Sequence, residues 1–205
     1  MGTSYQTVLA TGELAPLRAA MAEAEWEAYV APVGKLRWAV VPRDRDGYAD
    51  TDLLASFLSQ ATGSPAVSFV VFDSDVMSAS IFVAGEEIHG YVSDRSFVDV
   101  FSDDDGTEYL AGFDGTRYPL GSTPPTGPGG ADPERFALFG SGPVDLAPLG
   151  AALRGEVPPD DAPRLFAERQ HHAVLTALHL DCALLTTAFA HVDPADVDGL
   201  LHLTP

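Results

Sequence analysis

A single cysteine, Cys182, leaves the chain without an internal disulfide and without a C-x-x-C pair for redox chemistry or zinc. It follows Leu180 and Asp181 at the end of an apolar stretch, and is expected to pack as a small buried hydrophobe. Lysine is nearly absent too: Lys35 stands alone, and no phosphate loop of the G-x-x-x-x-G-K-[ST] type occurs. The glycine run at 127–130 follows no predicted strand and lies among prolines, so it is not a dinucleotide fingerprint. No G-x-S-x-G nucleophile elbow is present; Gly140-Ser141-Gly142 is too short and runs into Pro143. Apolar runs are only a few residues long, which excludes a membrane-spanning helix. The first residues, MGTSYQTVLATGELAP, lack the basic and apolar parts of a secretory signal, and Gly2 sits in a poor myristoylation context. A cytoplasmic location is expected. No cofactor motif is found and no cofactor is expected.

What the chain has in excess is acid. Thirty Asp and Glu face 11 basic residues, ten of them Arg, for a net charge of -19. Such a charge repels nucleic-acid phosphates and anionic membrane surfaces, so neither is an expected partner. It steers the chain toward a basic protein partner and speeds that encounter at low salt. The plain alternative is solubility alone, since the acid is spread out and only Asp103-Asp104-Asp105 is tightly clustered. Hydrophobic residues at 46% over 205 positions make this a folding chain with one good core, not a disordered one.

The pattern reads as α+β: an antiparallel sheet of about five to seven strands packed with helices on one face, and a helical C-terminal half. Strands are expected at 4–10 and at 66–72, the latter nearly all apolar and so covered on both faces. Glu13 to Glu25 reads as a helix with Pro16 in its first turn. A hairpin is expected from 27–31 and 36–41 around Pro32-Val33-Gly34. Residues 51–62 form the clearest helix, capped by Asp50 or Thr51 and ended by Gly63, with Leu53, Leu54, Phe57, Leu58 and Ala61 on one stripe. Residues 97–118 read as short strands joined at Asp105-Gly106 and Asp114-Gly115. The stretch 119–133 is a Pro/Gly-rich loop separating a strand-rich from a helix-rich half of a single domain. Helices are expected from Asp132-Pro133 to Gly140, over 144–154 and over 163–180, while 184–192 fits helix or strand.

Between 66–72 and 97–118 lies a second hairpin. Gly85-Glu86 suits a type II′ turn, which sets Phe82 against His89 and Ser80 against Tyr91. On that register Ser80, Phe82, His89 and Tyr91 share one face, with Ile81, Val83, Ile88 and Val92 on the other. Asp73 and Asp75 lie at one end of the first face, and Asp94 and Arg95 at the same end of the returning strand. Asp73, Asp75, Phe82, His89, Tyr91 and Asp94 are therefore the candidate binding set, an aromatic floor edged by His and carboxylates. The plain alternative is that a helix covers this face. The same Asp and His residues would serve an alternative reading, a small metal-dependent hydrolase. Glu168, His172 and His179 fall on one stripe of the last long helix and are weak metal candidates, with no second half visible. Asp103-Asp104-Asp105-Gly106 does not fit an EF-hand loop, because Phe101 and Gly112 would occupy ligand positions.

The run FDSDVMSASIFVAGEEIHGYVSD from Phe72 to Asp94, with GADPERFALFG, GPVDLAPLGAALRG and AERQHHAVLTAL, resembles an uncharacterised group of soluble actinobacterial proteins. That resemblance implies no activity or catalytic residue. The expectation is a non-catalytic acidic binding protein, of an inhibitor or immunity type, that captures a basic partner.

Overall fold

Residues that are apolar at nearly every position, as in 66–72, bury both faces of a strand, and the computed structural model contains a sheet built on that rule. The structure describes residues 2–156 and 166–204. In chain order the elements are β1 (Tyr5–Thr11), α1 (Leu14–Glu23), β2 (Ala28–Gly34), β3 (Arg37–Pro42), α2 (Thr51–Thr62), β4 (Ala66–Phe72), β5 (Val76–Val83) and β6 (Glu86–Val92). Then follow β7 (Val98–Ser102), β8 (Glu108–Gly112), β9 (Arg117–Pro119), α3 (Pro133–Ala137), α4 (Leu146–Leu153), α5 (Ala167–Ala177), a 3-10 turn (Phe189–His191) and β10 (Leu201–Leu203). The fold is α+β. Seven strands form an antiparallel sheet in the order β10-β2-β3-β1-β4-β5-β6, and β7-β8-β9 form a separate meander.

Helices cover both faces of the large sheet, not one. Leu9, Val67, Phe69, Met77, Ile81 and Tyr91 point to a core closed by Phe136, Leu149, Val174 and Leu178 of the C-terminal segments. Val8, Ala10, Val40, Ala66 and Phe82 point the other way, beneath Leu17 and Met21 of α1 and Leu54 and Leu58 of α2. Full burial of each Val, Leu, Ile, Met or Phe side chain among them is worth about 1.5–3 kcal/mol. The helical C-terminal half proves modest: α3 to α5 are short, the 184–192 segment is turns and a 3-10 turn, and β10 rejoins the sheet edge beside β2. The start of the expected 163–180 helix lies outside the described residues up to 165. Among the described residues no helix is long and apolar enough to cross a membrane.

Helix ends follow their chemistry. The Asp50 carboxylate accepts from the Leu53 amide at 2.9 Å, and Gly63 closes α2 in the left-handed conformation. Leu53, however, is 60% exposed, because α2 turns Leu54, Ala55 and Leu58 inward instead. The β2–β3 turn falls two residues later than expected. Pro32 to Gly34 stay in β2 with a register shift there, and Lys35-Leu36 makes the turn with Leu36 at φ 55°.

The segment 119–133 lies along β6. Val92 and Gly129 exchange backbone hydrogen bonds of 3.1 and 2.9 Å, and the Arg95 amide donates to the Gly127 carbonyl at 2.9 Å. A Cβ on Gly130 would stand 2.0 Å from the Gly90 carbonyl oxygen, so only glycine permits this approach. The loop thus blunts an edge strand that would otherwise offer unpaired backbone groups.

One buried side chain makes stability depend on pH. His171 is fully buried, with Nδ1 3.1 Å from the Tyr5 hydroxyl and its ring tilted against Phe69 at 4.4 Å. Burial, assisted by neighbouring His172, pulls its pKa down to about 3 from an ordinary 6.5. The unfolded chain therefore binds a proton at His171 that the folded chain refuses between those pH values. Stability is complete above pH 6.5 and falls as pH drops toward 3, by on the order of 5 kcal/mol over the full range. Urea unfolding of His171→Phe at several pH values should give a flatter pH dependence than wild type across this window, whatever its absolute stability. An unchanged slope would remove His171 from the account.

Candidate functional site

The second hairpin holds the main departure from the expected site. Its turn is Ala84-Gly85, with φ of 51° and 86°, and Val83 pairs with Glu86. Two positive φ values in succession are the signature of a type I′ turn, which matches the twist of the strands. The turn sits one residue earlier than Gly85-Glu86 because α2 grips it: Ser56 Oγ donates to the Gly85 carbonyl at 2.6 Å and the Gly85 amide donates to Ser59 Oγ at 2.9 Å. A bulge then restores the pleat. Phe82 pairs with Glu87, Ile81 with His89, and Ile88 is the extra residue, 38% exposed.

The candidate face is therefore split between the two sides of the sheet. Phe82 is core beneath α2. Tyr91 is core on the opposite side; its hydroxyl donates to the Leu153 carbonyl at 2.8 Å and accepts from Gln170 Nε2 at 2.9 Å. His89 lies on the Tyr91 side, with Nε2 2.7 Å from the Gly130 carbonyl oxygen and an edge contact to Phe136. Asp73 and Asp94 serve the backbone. The Asp73 carboxylate accepts from the Gly2 amide at 2.8 Å, and Asp94 accepts from the Ser96 amide at 2.9 Å and the Gly127 amide at 3.1 Å. Asp75 is half-buried beside Asp73 in the β4–β5 connection. These six residues do not converge on one cavity.

The Glu168/His172/His179 stripe also breaks. α5 ends at Ala177, and His179 adopts φ 58° just beyond it, where its amide donates to the Thr176 carbonyl and Leu180 closes back on Leu175. That left-handed position rotates His179 off the helix face. Glu168 accepts from Ser74 Oγ at 3.0 Å, and His172 contacts Thr176. Among the described residues no three His, Cys, Asp or Glu side chains are placed to hold a metal ion. Cys182 is half-buried, against the C-terminal core, and burial raises its thiol pKa. Asp103 closes its own acidic turn, accepting from the Asp105 and Thr107 amides at 3.1 and 2.8 Å.

What the structure does assemble is a groove of about 290 Å³ between the first turn of α2, the β5–β6 hairpin and the β8–β9 turn. Asp52, Glu87 and Asp114 line it, with Ser80 and Phe113, and among the described residues no basic side chain does. It forms where α2 begins: the strands beside its first turn carry Ser68, buried, and Ser80, half-buried, as cross-strand partners in place of apolar residues. Ser68 Oγ donates to Asp52 Oδ1, and Ser80 Oγ lies 3.5 Å from Asp52 Oδ2. Ser80 belonged to the expected face; Asp52, Glu87 and Asp114 did not. Serines recurring at period two in strands otherwise apolar were their one sequence signal.

The meander rises beside this groove. Phe72 and Phe97 sit 6.0 Å apart, and Phe113 5.8 Å from Phe72, tying the end of β4 to the base of the meander. Above that base, among the described residues, no helix packs on it. Val100 is 52% exposed and Phe101 49%, with Tyr109 stacked on Phe101 and Arg117 4.4 Å over the Tyr109 ring. Residues 97–121 hold six acidic side chains against one arginine.

Crowded carboxylates alter each other. Partial burial first, and the Asp52 carboxylate second, hold the Glu87 carboxyl above its ordinary pKa, with His89 opposing. Replacing Asp52→Asn should lower the Glu87 midpoint in a carboxyl carbon NMR titration; an unmoved midpoint would show that the two do not share the groove electrostatically.

No protein-family model, no curated protein and no solved structure matches the chain.

Proposed function

We propose that the protein is a non-catalytic interaction protein that captures a basic protein partner, in the manner of an inhibitor or immunity protein. The observation that carries this reading is the groove of Asp52, Glu87 and Asp114, acidic and without a cation, opening beside an uncovered acidic meander. A guanidinium or ammonium of the partner would enter the groove. There it would meet carboxylates, of which Glu87 already carries a raised pKa from partial burial first and Asp52 second. The exposed Val100 and Phe101 supply the apolar contact that a specific interface needs in addition to charge. The net charge of -19 would accelerate the encounter and make it sensitive to salt. The reading gives no role to Asp73, Asp75 or Asp94 in the partner site.

A charge-matched comparison separates this site from general acidity. One variant carries Asp52→Asn, Glu87→Gln and Asp114→Asn. The other carries Glu23→Gln, Asp196→Asn and Asp198→Asn, exposed acids away from the groove. Both lose the same charge. Titrated with an arginine-rich peptide at moderate salt, the groove variant should bind about tenfold more weakly than wild type, a difference of about 1.4 kcal/mol, and the remote variant nearly normally. Equal losses would reduce the function to bulk charge, and no binding by wild type would end the reading.

A further inference from the structure

A second and larger cleft, of about 600 Å³, opens between the end of α1 and the β3–α2 connection, in the size range of small-molecule sites. Its chemistry differs from that of the acidic groove. Trp26 packs against the core beneath α1 and α2, so its indole is a firm wall. Tyr48, 60% exposed, forms the outer wall, and its backbone is bridged to Arg45 by hydrogen bonds of 2.8 and 3.1 Å. Both signs of charge line the space.

Arg43 is already neutralised, since it pairs with Glu27 at 2.7 Å, and Glu27 also meets His202 at 3.0 Å. Arg45 is different: among the described residues its guanidinium has no hydrogen-bond or ion-pair partner. Glu25 likewise has none for its carboxylate, and its backbone is held at φ 55°, a conformation a non-glycine residue adopts at a cost. Asp50 spends one oxygen on the Leu53 amide and keeps the other. Burial, then Asp50 and Asp52, raise the Tyr48 phenol pKa, so that end of the cleft is negative.

A purely anionic ligand would suit Arg45 but meet free carboxylates and a net charge of -19. A purely cationic one would leave the Arg45 guanidinium without a counter-charge. A zwitterion with a flat ring satisfies the whole lining. We propose that this cleft binds a free α-amino acid with an aromatic side chain: its carboxylate on Arg45, its ammonium on Glu25 and Asp50, its ring between Trp26 and Tyr48. The site is separate from the acidic groove and does not depend on the partner reading.

Calorimetry with three probes of one side chain tests it: phenylalanine, N-acetylphenylalanine (carboxylate alone) and phenylalaninamide (ammonium alone). Phenylalanine should bind with Kd of about 1 mM or tighter, and each blocked form at least about tenfold more weakly. Arg45→Gln and Tyr48→Ala, both at solvent-facing walls, should each weaken phenylalanine binding without lowering the melting temperature. The proposal is overturned if phenylalanine gives no binding at ten times that concentration. It is equally overturned if phenylalaninamide binds as well as phenylalanine and Arg45→Gln changes nothing, which would make the cleft a cation cage.

Discussion

The structure depends on covering both faces of one antiparallel sheet. β1 is its central strand, with Leu9 facing the C-terminal helices and Val8 and Ala10 facing α1 and α2. Strands so enclosed are apolar at nearly every position, and each covering helix is fixed by the apolar side chains it must meet. The same layering positions the acidic groove. α2 starts at Thr51, and the groove opens beside its first turn. Serines replace apolar residues there, and the first turn of α2 contributes Asp52 to the exposed floor.

Much of this was legible in residue types. The run at 66–72 indicated a strand buried on both faces; Asp50 and Gly63 marked the ends of α2; Asp105-Gly106 and Asp114-Gly115 marked the turns of the meander. Period-two and capping signals are local, and local signals survive tertiary packing. The second hairpin was misread for a nonlocal reason. Gly85 favours a turn in two registers, and Ser56 and Ser59, more than twenty residues earlier, select the one with Ala84. The bulge at Ile88 then changed which residues faced which side, which dispersed the expected site. His171, adjacent to the metal candidate His172, was not among the expected site residues. Its spacing to Val174, Leu175 and Leu178 places it on the buried side of α5.

The surface divides its acid into different uses. Asp94, Asp103, Asp132 and Asp145 accept backbone amides at turns and helix starts, and their carboxylates serve the fold. Asp52, Glu87 and Asp114 converge on the groove across three elements distant in sequence, although Asp114 also accepts the Thr116 amide at 2.9 Å. Solubility alone asks for dispersed charge and does not require such convergence. The cleft at Trp26 and Tyr48 presents Arg45, whose guanidinium has no partner among the described residues. Groove and cleft lie on either side of the α2 start, where Asp50 borders one and Asp52 the other.

The most direct test of the partner reading is a map of contacts. Amide NMR spectra of the labelled protein would be recorded with an arginine-rich peptide at near-physiological salt, where diffuse surface attraction is screened within about 8 Å. Shifts confined to Asp52, Ser80, Glu87 and the 112–115 turn, extending up the meander to Phe101, are the predicted result. Shifts spread evenly over the acidic surface, or gathered elsewhere, would contradict it.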